Sequence, residues 1–146
     1  MTRLWSLPLT YAPKIPAVKA GTCRQTIRVI NKTRAHPDGV RKEVGDLIRF
    51  FAWTGKPYRS KREWVVEGYQ TITRAYDCKI FRSGITIPDQ MYIRDLGISG
   101  AINWYFLDDL AKADGIVPPT GEALRCVLMA KNRIPEEGVI AQVLRW

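Results

Sequence analysis

Apolar and polar positions change period several times along the chain, and each change marks an element. Leu4, Trp5, Leu7 and Leu9 read as a short opening strand over residues 4–9, stopped by Pro8. From about residue 13 to 20 the spacing is helical: Ile15 and Val18 are apolar, Lys14 and Lys19 stand between them, and Gly21 occupies the left-handed position that ends a short helix. The period then drops to two over residues 24–30, so Arg24, Thr26 and Arg28 share one face and Gln25, Ile27 and Val29 the other. A polar stretch over 31–42 with a His-Pro-Asp-Gly signal predicts an exposed connection. Gly45-Asp46 makes a turn into a β-rich core strand over 44–53, and the turn at 54–57 leads to a basic loop at 58–62.

Residues 64–76 predict a long strand bent at Gly68, continued by strands at 78–81, 85–87 and 90–98, the last around Met91-Tyr92-Ile93. The period then returns to helical. Trp104, Leu107, Leu110 and Ala111 fall on one stripe through Ala113, and Asp114-Gly115 ends it. A second helix follows Pro118-Pro119, with Thr120 as N-cap, Glu122 in the first turn and Ala123, Leu124, Val127 and Leu128 as its buried side. Residues 138–146 close as a strand. This order predicts an α+β fold in one domain, 1–146: a small, mostly antiparallel β-barrel with a short N-terminal helix and two helices before the last strand. Trp53, Trp64 and Trp104 are assigned to its core, since large aromatics dominate cores.

Charge alters this otherwise ordinary picture. The net charge is +9 with a pI near 9.7, and it is lopsided. Residues 1–82 hold 17 basic and 6 acidic side chains, whereas 83–146 hold 6 and 8. Such asymmetry implies a basic surface and a partner of opposite sign, with nucleic acid first. The densest cluster is Tyr58-Arg59-Ser60-Lys61-Arg62, where Tyr58 is placed to stack on a base. Arg24 and Arg28 beside the helix stop offer planar donor forks to an anion, although basic residues on a strand are also commonly a solvated face.

Cys23, Cys78 and Cys126 are odd in number, widely spaced and form no CxxC pair, so neither a disulfide framework nor a metal site is indicated and no cofactor is implied. A reducing cytoplasm is the expected setting. No stretch approaches the roughly 18 apolar residues of a membrane helix. The single histidine, His36, falls in the polar loop, which argues against a hydrolytic triad.

The run Gly21-Thr22-Cys23-Arg24-Gln25-Thr26-Ile27-Arg28, followed by Val44-Gly45-Asp46-Leu47-Ile48, resembles the ASCH (activating signal cointegrator homology) domain. That family is marked by Gly-x-Lys-x-x-x-x-Arg and a Gly-Asp strand start. The helical stretch Leu110-Ala111-Lys112-Ala113-Asp114-Gly115-Ile116 and the closing Val139-Ile140-Ala141-Gln142-Val143-Leu144-Arg145-Trp146 are similar to the helical segment and closing strand of bacterial and phage members. The resemblance implies a PUA-like barrel, a cleft lined by the glycine-to-arginine segment, and a superfamily associated mainly with RNA. One branch is the N4-acetylcytidine amidohydrolases, and there the resemblance implies chemistry on the motif lysine, a threonine three residues later and an acid of the helical segment. Thr26 matches the threonine and Asp114 stands at the acidic position, but the lysine is Cys23 here. A Cys23 thiolate needs positive neighbours such as Arg24 or Arg28; otherwise the residue is a small, half-buried filler. Lys19, four residues earlier, is the cation that would have to reach over.

Three functions follow. The first is a nucleic-acid-binding domain, RNA before DNA, using Lys19, Arg24, Thr26, Arg28, Tyr58, Arg59, Lys61 and Arg62. The second is a hydrolase of an acylated nucleoside or of RNA, with Thr26, Asp114 and Cys23 at its site. The third is a domain that binds an acidic protein partner.

Overall fold

A computed structural model of the chain describes residues 2–30, 40–87 and 100–146, the backbone alone for 100–102. The predicted strand at 90–98, most of the polar connection at 31–42 and His36 lie outside the described residues. In chain order the elements are β1 (Leu4–Pro8), α1 (Lys14–Lys19), β2 (Gln25–Val29), β3 (Leu47–Trp53), β4 (Arg62–Trp64), β5 (Gln70–Thr71), β6 (Arg74–Phe81), β7 (Gly84–Ile87) and β8 (Gly100–Asn103). A 3-10 turn (Trp104–Phe106), α2 (Asp108–Ala113), α3 (Gly121–Lys131) and β9 (Val139–Arg145) complete the chain.

The fold is α+β, with three helices and two sheets among the described residues. In the first sheet β3 is central: β1 runs parallel to it, with Leu4 opposite Leu47, and β4 and β5 pair antiparallel on its other side. The second sheet is antiparallel throughout, in the spatial order β2-β9-β6-β7-β8. The expected single barrel is therefore not what the described strands form: among them the two sheets make no closed ladder. One segment nonetheless serves both. β5 pairs with β3, the Ile72 amide donates to Asp46 O (2.8 Å), the Thr73 amide donates to Arg145 O (2.8 Å), and β6 then pairs with β9. The long strand predicted over 64–76 is thus broken, at the bend around Gly68, whose φ is +78°.

The second sheet is covered on both faces. Ile27, Tyr76, Cys78, Ile80, Ala141 and Val143 point to α2 and α3, meeting Leu107, Leu110, Leu124 and Leu128. Leu144 and Trp146 point the other way, to Leu7, Ile48 and Phe50 of the first sheet and Val18 of α1. The near-continuous apolar run of β9 reflects this double burial. Gln142, between the two faces' apolar residues, accepts from the Lys42 amide (2.9 Å) and donates to the Lys42 carbonyl (3.0 Å). Lys42 belongs to the stretch predicted to be exposed, yet it is buried, with Nζ donating to Val40 O (2.7 Å) and lying 4.9 Å from the Trp5 ring centre.

Helix ends follow the sequence closely. Gly21 and Gly115 both take φ of +74° just past α1 and α2. The Thr120 hydroxyl accepts from the Ala123 amide at 3.1 Å, capping α3 as predicted. Of the three tryptophans assigned to the core, only Trp104 is there. Strand alternation decides this: Ile48, Phe50 and Ala52 of β3 turn inward, which sends Arg49, Phe51 and Trp53 to the opposite face, where Phe51 is still buried, Trp53 is half-buried and Trp64 of β4 is 47% exposed.

Candidate functional site

Among the described strands β2 is at the edge of the second sheet, and a cleft of about 240 Å³ lies beside it. The walls are residues 8–11 after β1, the start of α1, residues 26–29 of β2, the end of α3, and Trp53 with Tyr58 from the first sheet.

From β2, Thr26 and Arg28 line the cleft. An Arg28 guanidinium nitrogen donates to Pro8 O at 2.8 Å, which fixes the side chain across the mouth between β1 and β2. Opposite lies the pair that the sequence pattern did not reveal. Lys14, on the first turn of α1, and Asp114, immediately after α2, are both buried, with Nζ 3.3 Å from Oδ1. Burial pushes the Asp114 carboxyl up from the ordinary carboxylate range, against the pull of Lys14, Arg28 and the Gln25 amide. The buried Gln25 amide and Asp114 Oδ1 lack a well-aligned hydrogen-bond partner. A signal for Lys14 existed: it shares a helix face with Val18, four residues on, and that face is the buried one.

Lys131, at the end of α3, brings a third cation. Its Nζ lies 5.4 Å from the Tyr11 ring centre, and Tyr11 is itself fixed by donating to Val117 O (3.1 Å) and accepting from the Val117 amide (3.0 Å). Partial burial, with repulsion from Arg28 and Lys14, lowers the Lys131 amine to about 8. Leu124, Leu128 and Lys131 follow one another at helical spacing, so the buried stripe of α3 runs directly into this lysine.

Tyr58 and Trp53 form the aromatic wall, their ring centres 5.2 Å apart. Tyr58 is the one non-glycine residue with positive φ (+63°) among the described residues, a strained conformation at the mouth of a cleft.

The remaining predicted site residues lie elsewhere. Lys19 and Arg24 are exposed and outside the lining, as are Arg59, Lys61 and Arg62 on the β3–β4 connection and β4. Cys23 is buried behind the cleft, its sulfur within hydrogen-bond reach of two carbonyl acceptors for its single proton, Gln25 O (3.5 Å) and Ala113 O (3.6 Å). Burial raises the thiol above its ordinary range, and the nearby Lys14 only partly opposes this, so the surroundings disfavour a thiolate. Among the described residues no group of three or more His, Cys, Asp or Glu side chains is placed to hold a metal ion.

The arrangement is a positive recess with an aromatic wall, a hydroxyl and one buried carboxyl, suited to a planar ligand carrying an anionic group. Compared with protein-family models, with curated proteins and with solved structures, the chain matches none.

Proposed function

We propose that this domain binds nucleic acid, RNA in particular, by taking one nucleotide into the cleft at the β2 edge. The observation that carries this reading is the convergence of Lys14, Arg28 and Lys131 in one cleft that Trp53 and Tyr58 also line. Cations answer the phosphate and rings answer the base. The ASCH resemblance and the basic N-terminal half support the same reading, and the passage of one segment between the sheets supports a PUA-like arrangement. Three free cysteines fit a reducing, cytoplasmic setting.

Titration of a nucleoside monophosphate and a short oligoribonucleotide, followed by tryptophan fluorescence, tests this. Arg28→Lys replaces a two-pronged donor by a point charge and is expected to weaken both about tenfold with an unchanged melting temperature. No association of either ligand at low salt would refute the reading. Sequencing nucleic acid that copurifies with the protein separates RNA from DNA.

A second reading, hydrolysis of an acylated nucleoside, has one observation in its favour. The amine absent at position 23 is supplied from α1: Lys14 contacts Asp114 in the cleft that Thr26 also lines. Release of acetate from N4-acetylcytidine, abolished in both Lys14→Met and Thr26→Val, would establish it.

A further inference from the structure

Beyond the cleft, the outer face of the first sheet alternates rings and guanidinium groups. Trp53 belongs to the cleft wall and to this face at once. From it the rings continue through the buried Phe51 (5.5 Å between centres) to the exposed Trp64 (6.3 Å from Phe51). The Arg62 guanidinium lies 4.7 Å from the Phe51 centre and 5.1 Å from that of Trp53, and Arg49 lies 3.7 Å from that of Trp64. Cross-strand register produces the pattern: Phe51 faces Trp64, and Trp53 faces Arg62. Among the described residues neither arginine has a carboxylate within ion-pair distance, and Arg49 Nε is buried without a hydrogen-bond partner. Glu63, between Arg62 and Trp64, points to the other side of the strand.

We propose that this face is a stacking track for single-stranded RNA, along which the nucleotides adjoining the one in the cleft lie on Trp53 and Trp64 while Arg49 and Arg62 meet their phosphates. The proposal rests on the cleft being a nucleotide site and extends it from one nucleotide to several. Charge complementarity selects the occupant. A purely apolar partner would leave two unneutralised guanidinium groups at its interface, whereas a polyanion with a planar face on every unit answers both components. A cation already stacked on a ring keeps its outer N–H edge for an acceptor, so the arginines order the aromatics without closing them.

Fluorescence anisotropy with a labelled mononucleotide and a labelled oligoribonucleotide of about six residues tests the track separately from the cleft. The oligonucleotide is expected to bind more tightly than the mononucleotide. Trp64→Ala should weaken oligonucleotide binding about tenfold, leave mononucleotide affinity unchanged, and be largely rescued by Trp64→Phe. Arg49→Gln should act likewise, with the melting transition retained. If both ligands bind equally and Trp64→Ala changes neither, while Arg28→Lys weakens both, the track is refuted and the cleft stands. If neither ligand binds, both fall together. If Trp64→Ala instead converts a dimer to a monomer in sedimentation and leaves RNA affinity intact, the face is a contact between copies and the proposal is wrong.

Discussion

Lys131 shows how a single side chain takes its properties from its surroundings. Burial and two neighbouring cations lower its amine to about 8, within reach of ordinary buffers. Below that value it is protonated and adds a third positive charge to the cleft; above it that charge disappears while Arg28 keeps its own. Affinity for a nucleoside monophosphate, once the phosphate is fully ionised, is therefore expected to decline as pH rises from about 7.5 to 9. Lys131→Arg should make that profile flat, because guanidinium does not titrate there. Isothermal titration across this range decides it, and an equally steep decline in the arginine variant would assign the titration to another group. Asp114 links stability, too, to pH. Its raised pKa means the folded state holds a proton that the unfolded chain has released, so its contribution falls as pH rises from the unfolded value toward the folded one.

At the scale of elements, the site depends on where two helices end and how closely they approach. α2 delivers Asp114 at its C-terminus, and α3 must begin close enough to the 3-10 turn for its far end to bring Lys131 to β2. Gly121 sets that approach. A Cβ built there would lie 1.5 Å from the Trp104 carbonyl oxygen, so only glycine permits the contact. The Gly121 amide also donates to Asp108 Oδ1 at 2.8 Å, tying the start of α3 to that of α2. Gly121→Ala is expected to cost about 3 kcal/mol in urea denaturation, because the clash is with backbone that cannot rotate away. A cost below about 1 kcal/mol would mean that the helix shifts freely. β3 is anchored differently: the buried Asp46 accepts from the Arg3 and Glu43 amides and from Trp5 Nε1. Burial alone would raise its pKa; these donors and the Arg3 charge outweigh it and hold the carboxyl below the usual range. Its stabilising effect is present above the unfolded value and is lost as pH falls through the folded one.

For the molecule as a whole, the lopsided charge predicts behaviour that no single contact does. Arg59, Lys61 and Arg62 lie outside the cleft but on or beside the proposed RNA track, where they act through the polyanion's counterions. Replacing all three with glutamine should reduce the salt dependence of RNA binding by roughly 0.7 in log K per log salt for each phosphate that is no longer neutralised. Anisotropy at several salt concentrations measures this slope, and an unchanged slope would place the neutralising cations elsewhere. No helix among the described residues is long and apolar enough to cross a membrane.

Local chemistry determined much of this architecture from the sequence alone. Helix stops at Gly21 and Gly115, the Thr120 cap and the Gly45-Asp46 turn each depend on a residue and its near neighbours, so they are legible without a fold. The two-sheet arrangement was not legible, because it depends on which strand the segment after Gly68 pairs with, and hydrophobic period does not name a partner. The same limit hid the faces. Trp53 and Trp64 read as core by size, but β3 turns Phe50 inward and them outward. Lys14 drew no role from its spacing in the short helix, yet the helix docks with that side down on Asp114, far away in the chain. Tertiary packing alone decided that Lys14 of α1 meets Asp114 in the cleft, since only the folded chain brings those two segments together.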